Sequence, residues 1–507
     1  VTFTNKAAQE MLSRLEGQLG SKQAVRRIQI GTFHSICYDI LKKQGISFVM
    51  ADETEMLEMA REAIQGQNLK LKPSRLLHYI SLRKAGVSQA EAGLNRDEAA
   101  PFAEGEKNRD ETATSAEGDK NRDETATSAQ TEKNSDPSVT GEQLEAAYRA
   151  YQEALTAAGA LDFDDLLLRA LEIAEAGEAC EPFRYLLVDE FQDINPVQYR
   201  LIRAWNRAGR ELFVIGDPDQ AIYGFRGTDA KCFLRLAEDE PELETIRLEQ
   251  NYRSTPQILE GAMSVISVNP GPPRSLHANR EDGFPIRIVN AASEMAEAIF
   301  VAKEINRQIG GIDMLDAQEG FACPDDRRPR SFADIAVLYR THRQADLLEK
   351  CLQKEGIPYV VAGRDDFLRA DSVRGTICFL RCLMDGQDEL SRRLCLKLLW
   401  NLSEDCISDC IFQAMADKYS PQLKKARPQK LLAAWMGDMG LEGAADMQKL
   451  ASTAGFYKSV REFLDSLSFG QESDLRRCGK KNYTSDAATL MTLHGSKGLE
   501  FPVVLLY

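Results

Sequence analysis

Long apolar runs are missing from this chain of 507 residues. Nothing in it approaches the roughly 18–20 consecutive apolar residues of a membrane-spanning helix, so no membrane partner is expected. Histidine is scarce, with 5 residues, and the 11 cysteines form no CxxC pair and no His/Cys cluster at zinc-ligand spacing. Cys378 and Cys382 stand one helical turn apart, as do Cys406 and Cys410. Buried thiols on a helix face account for that spacing better than a metal site, and a reducing cytoplasm fits the scatter. No signal peptide is visible. The chain opens on Val1 rather than Met, inside a strand-like VTF, and closes inside another such run, VVLLY. It is read as a fragment cut at both ends, which leaves targeting signals open.

What is present is a globular composition: 43% hydrophobic and 28% charged residues, enough chain for about two to four domains. The net charge of −15 argues against simple coating of nucleic acid. Part of that charge is local, because Asn95 to Thr140 carries six Lys/Arg against twelve Asp/Glu. There Asn95, Asn108, Asn121 and Asn134 recur every 13 residues, and AEGEKNRDETATS at Ala103–Ser115 returns as AEGDKNRDETATS at Ala116–Ser128. A unit with so little to bury is expected to be a disordered, solvated insert. The remainder can still carry a basic groove.

The stretch that organises the chain is YLLVDEFQDIN, Tyr185 to Asn195. Its unbroken apolar run predicts a strand buried on both faces, as in a parallel sheet. Ligands of such sheets sit past the carboxyl ends of the strands, where Asp189 and Glu190 fall. Two readings stand side by side. One is an acidic loop like many in α/β proteins. In the other, Asp189 holds Mg2+ on a nucleotide and Glu190 orients or deprotonates a water.

Other stretches repeat the plan of strand, polar turn and helix. Val1 to Leu15 turns after Phe3; Ile28 to Leu41 turns through Thr32, Phe33 and His34. Phe3 and Phe33 read as core or, alternatively, as stacking platforms for a base. Residues 50 to 90 and the segment from Gly141 to Leu155 read as helical, and LDFDDLLLRAL at Leu161–Leu171 as a capped helix. After a strand at Leu212–Ile215 comes GDPDQAIYGFRGTD. In it Gln220 suits a phosphate or water, and Tyr223, Phe225 and Arg226 suit bases and their backbone. Arg253 in LEQNYRST suits charge on a transferring phosphoryl group. A second α/β unit follows Pro270–Pro273, with strands expected at Pro285–Val289, Asp334–Arg340 and Ile357–Val361. Val373 to Lys480 reads as helical, and ATLMTLHGSKGLEFPVVLL, Ala488–Leu506, as strand, Gly-containing loop and strand.

In this order, VTFTNKAAQEM, GTFHSICYDIL, LDFDDLL, LLVDEFQDINPVQ, GDPDQAIYGFRGTD, LEQNYRST, DIAVLYRTHRQ and MTLHGSKGLEFPVVLL resemble the UvrD/Rep/PcrA family of superfamily one DNA helicases. The resemblance implies an α/β fold of two RecA-like parallel-sheet P-loop NTPase cores, each with an inserted, mainly helical domain. The first core is expected at 1–45 and 160–270, and its insert at 46–159. The second core is expected at 271–372 and 486–507, and its insert at 373–485. ATP and Mg2+ are the implied cofactors, with Asp189 on the metal and Glu190 on the water. Gln220 would sense the γ-phosphate, Arg253 would be an arginine finger, and Glu500 would reach the nucleotide from the second core. Phe3, Thr32, Phe33, His34, Tyr223, Phe225, Arg226, Arg340, Thr492, His494 and Ser496 would line a single-stranded DNA track. Phe225 stands where relatives often have Trp, and His342 where they commonly have Asn.

The implied activity is an ATP-dependent helicase or translocase moving 3′ to 5′ in repair or replication. Its partners would be single-stranded DNA, single-strand/duplex junctions and repair or replication proteins, with the oligomeric state open. No GxxxxGK[ST] occurs in the 507 residues. That phosphate-cradling loop is expected upstream of Val1 and the last motif past Tyr507, so the chain by itself is expected to hydrolyse ATP poorly. Two alternatives remain open: a helicase subunit of a RecB/AddA-like helicase-nuclease, and a non-catalytic DNA-binding remnant.

Overall fold

A computed structural model describes residues 1–20, 25, 27–51, 53–87, 139–177, 183–229, 231–269, 274–310, 330–362, 367–386, 388–402, 406–423, 426–455, 457–469 and 486–507. The 13-residue repeats and most of Gly311–Arg330 lie outside that set. Two compact units divide the chain: Phe48–Asp164, and Val1–Ser47 together with Asp165–Tyr507. Among the described residues no helix is long and apolar enough to cross a membrane.

The Phe48–Asp164 unit is built on helices Glu53–Gly66, Pro73–Lys84 and Gly141–Ala157. A short parallel pair, β1 (Val49–Met50) with β2 (Ala160–Leu161), closes it. Thr140 starts the last helix with a capping box, its side chain accepting from the Gln143 amide while Gln143 accepts from the Thr140 amide. Leu76, Tyr79, Ala147, Tyr151 and Leu155 are buried between the helices. In their midst the Lys84 ammonium lies 2.6 Å from Asp162, and the Tyr151 hydroxyl donates to the same carboxylate at 3.1 Å. Both charged side chains are almost fully buried, at 1% and 5% exposure.

In the larger unit the first sheet pairs β3 (Tyr185–Val188) with β4 (Glu211–Val214) in parallel. Val1 lies along the other edge of β3, with its ammonium donating to the Leu187 carbonyl and its carbonyl accepting from the Asp189 amide. Thr2 forms an isolated parallel bridge to Thr32. The expectation that β3 is buried on both faces needs correction. Leu186 and Val188 are buried, whereas Tyr185 and Leu187 are 50% and 58% exposed. Side chains alternate across a strand, and among the described residues only one face of β3 is covered.

The second sheet is fully parallel, in the order β10 (Val503–Leu506), β7 (Ile335–Tyr339), β9 (Ala488–Thr492), β8 (Tyr359–Val361). All five residues of β7 are buried, as a central strand under helices requires. Val301, Ile305, Leu348 and Leu352, from helices Glu294–Gln308 and His342–Lys354, join its core. Pro285–Val289 is not a strand: the segment has no ladder partner, and Ile286 and Ile288 are 56% and 88% exposed. A third parallel pair, β5 (Gln250–Asn251) with β6 (His277–Ala278), straddles the 270/271 boundary expected from the sequence.

Six helices between Asp371 and Phe469 share one core, in which Trp435 stacks on Phe379 at 4.2 Å and donates to the Thr376 hydroxyl at 2.9 Å. Cys378 and Cys382 are buried there, but Cys410 is exposed, contrary to the expected buried thiol.

Lys84→Met should destabilise the protein by about 3–5 kcal/mol, because it leaves the Asp162 carboxylate buried without its cation. Adding Asp162→Asn to that variant should recover much of the loss. Urea unfolding of the two variants measures both effects.

Candidate functional site

At the end of β3 the chain turns sharply. Glu190 sits in the left-handed region, φ 52° and ψ 44°, a conformation that costs a non-glycine residue energy and is concentrated at functional sites. The turn Phe191–Asp193 follows, with all three residues buried. Inside it, Gln192 acts as a strut: its amide donates to Glu190 Oε2 at 2.5 Å, and its Oε1 accepts from the Asp217 amide at 3.0 Å. Gly216 makes that reach possible. A Cβ there would lie 2.3 Å from Gln192 Oε1 and 2.9 Å from the Phe233 ring.

Asp193 is 2% exposed, and burial raises its carboxyl above the ordinary range, against the pull of Lys497. Lys497 Nζ meets its two oxygens at 2.8 and 2.5 Å, and also donates to the Gln220 carbonyl at 2.7 Å. The Gln220 side chain donates to Asp217 Oδ2 at 2.7 Å. Beside it, Arg274 grips Asp219 in a two-pronged contact of 2.5 and 2.6 Å. Such bidentate pairs fix orientation as well as charge.

Arg253 and Glu500 meet each other at 2.8 Å, both well exposed. Exposed pairs are worth only about 0–1 kcal/mol, so either partner can be given up to a stronger ligand. Asn251 Oδ1 accepts from the Arg253 and Ser254 amides and so shapes the loop that presents the guanidinium. Asp189 and Glu190 are half-buried. Among the described residues no group of three or more His, Cys, Asp or Glu side chains could hold a metal ion, so a cation here would need oxygens from its ligand.

One loop further on is an aromatic and cationic patch. Tyr223 and Phe225 meet edge-on at 6.2 Å, and Phe225 meets His494 at 5.4 Å. The Arg226 guanidinium lies over both rings, at 5.4 and 5.7 Å. Arg340 is 3.2 Å from His494, whose imidazole is held below its ordinary pKa by burial and by the charges of Arg340 and Arg226. Thr492 and Ser496 shape the loop carrying His494: the first accepts from the Gly495 amide, and the second donates to the Leu493 carbonyl.

Five sequence candidates, Tyr223, Phe225, Arg226, Arg340 and His494, therefore share one surface. For Phe33 the structure matches the core reading rather than the stacking one, and Thr32 serves its own helix. Phe33 is 2% exposed and stacks on Trp205 at 5.9 Å, so its ring belongs to the core. Thr32 is buried, and its hydroxyl accepts from the Ser35 amide as a helix cap. Phe3 and His34 are half-buried. Sequence reading missed Gln192, Asp193, Asp219, Arg274 and Lys497. Asp193 and Lys497 are 304 residues apart, and no local pattern announces such a pair.

These features define an α/β protein of parallel sheets with its polar groups gathered past the strand ends. Residues 1–241 match the UvrD/REP helicase N-terminal domain, and residues 246–419 the UvrD-like helicase C-terminal domain. The ATP-dependent DNA helicase PcrA of Staphylococcus epidermidis is 28% identical over 569 aligned positions, covering 100% of this chain and 70% of that protein. The same-named protein of Staphylococcus aureus is 26% identical over 570 positions, with the same coverage. The chain belongs to the UvrD/Rep/PcrA-like superfamily one helicases.

Burial drives the His34 imidazole from its ordinary 6.5 down to about 4. Between those values the unfolded chain binds the proton more readily, so stability is full above pH 6.5 and falls as the pH drops toward 4. The loss should be about 1–3 kcal/mol, and His34→Gln should flatten it in denaturant titrations run across that range.

Proposed function

We propose that the chain is the motor portion of an ATP-dependent DNA helicase that moves 3′ to 5′ on single-stranded DNA, engages single-strand/duplex junctions and serves repair or replication. The observation that carries this reading is Lys497, which ties the acidic strand-end loop to the loop bearing Gln220 and lies over the Tyr223 ring at 4.8 Å. An acid loop suited to a nucleotide's metal and an aromatic patch suited to bases thus share one network. The two parallel sheets are read as two RecA-like cores. The second core is read as beginning at 271.

The donor set fits Mg2+ on a nucleotide: hard carboxylate oxygens at a strand end, in a sheet type that binds ligands there. When bound, the metal–nucleotide supplies the phosphoryl group for transfer to water. Asp189 would hold the metal. Glu190, oriented by Gln192, takes the proton from the attacking water. Gln220 reads the terminal phosphate. Arg253, if released from Glu500, would balance developing charge, and Glu500 would reach the nucleotide from the second core. Tyr223 and Phe225 stack on bases at about 1–3 kcal/mol each, firm enough to grip and weak enough to release. Arg226, Arg340 and His494 border that platform, with Thr492 and Ser496 holding its loop and Phe3 and His34 near the strand ends.

The test has two parts. The chain should bind oligo-dT by fluorescence anisotropy, and Phe225→Ala should weaken binding by about 1–3 kcal/mol. Since no GxxxxGK[ST] stands among the 507 residues, hydrolysis is assayed after joining the phosphate-loop segment of a PcrA relative at Val1. DNA-stimulated ATP turnover is expected, and Glu190→Gln should abolish it while ATP still binds. Undiminished turnover in that variant would remove Glu190 from its role.

A further inference from the structure

We propose that Lys497 is a positioning residue that makes the acid loop Asp189–Asp193 respond to what occupies the Tyr223 surface; this rests on the DNA-binding reading above. The ammonium has three N–H donors. The structure directs them at two carboxylate oxygens of Asp193, at 2.8 and 2.5 Å, and at the Gln220 carbonyl, at 2.7 Å. The same Nζ lies 4.8 Å from the centre of the Tyr223 ring. One charge therefore touches three segments: the turn after β3, the loop after β4, and the aromatic patch.

The geometry leaves little slack. Lys497 and Asp193 side chains are 12% and 2% exposed, so water does not readily replace either partner. Tyr223 is held from the same side by its hydroxyl, which donates to the His494 carbonyl at 3.5 Å, three residues before Lys497. A shift of the Tyr223 ring against a base therefore moves the His494–Lys497 turn. Through Nζ that turn pulls on Asp193, the neighbour of Gln192, whose side-chain amide donates to Glu190 three positions before Asp193. Without the Lys497 cation the acid loop keeps its contact to the start of the Gln220 loop, where Gln192 accepts from the Asp217 amide.

Amide hydrogen exchange tests this on the protein as it stands. Without DNA, Lys497→Met should speed exchange across residues 189–194 and 217–223 by about tenfold or more. Oligo-dT should slow exchange at 189–194 in the wild type and not in Lys497→Met. The double variant Asp193→Asn/Lys497→Met removes the stranded carboxylate, so its melting temperature should recover while the DNA response at 189–194 stays absent. Lys497→Arg, which keeps the charge, should restore part of that response. If the single variant leaves DNA-free exchange unchanged, or keeps the DNA response, Lys497 is not the link. A response restored in the double variant would also overturn the proposal, reducing the pair to a structural one. If the wild type binds no oligo-dT, the DNA reading itself falls, and the coupling with it.

Discussion

A buried carboxylate tolerates its position only with a cation beside it, and Asp193 has that cation in Lys497. Losing one partner of such a pair costs about 3–5 kcal/mol. The consequence here is architectural as well as energetic. Asp193 belongs to the turn that follows β3, and Lys497 to the loop between β9 and β10, so one ion pair joins the carboxyl-end loops of two different parallel sheets. Several groups of the site meet around that join. Gln192 sets Glu190 from one side, the Gln220 loop hangs from the Lys497 ammonium, and Tyr223 lies under it.

The surrounding chain is shaped to let these groups approach. Gly216 keeps β4's end clear for Gln192, and the left-handed Glu190 swings the chain out of the strand direction in a single residue. Arg274 anchors the same loop through Asp219. By contrast, the Arg253–Glu500 pair is exposed and cheaply separated.

Much of this was legible in the sequence. Apolar runs ending in polar loops placed β3, β4, β7 and β9, because burial and strand-end chemistry leave a local signature. The aromatic patch was legible too, since Tyr223, Phe225 and Arg226 are neighbours in the chain. What escaped was nonlocal. Phe33 read as core or stacking platform, and only its contact with Trp205, 172 positions later in the numbering, decides for the core. Thr32 looked like a contact but caps its own helix. β3 read as doubly buried, yet Tyr185 and Leu187 are exposed on its other face, since hydrophobicity alone does not say which faces are covered. Lys497 and Arg274 find their carboxylates only through tertiary structure.

The central claim is that base-binding and acid-bearing loops form one continuous site. Photocrosslinking tests it most directly. An oligo-dT strand carrying 5-iodouracil is irradiated with the protein, and the attached peptides are mapped by mass spectrometry. Adducts on Tyr223, Phe225 or His494 are predicted. Adducts confined to the Phe48–Asp164 unit or to the helices between Asp371 and Phe469 would contradict the account.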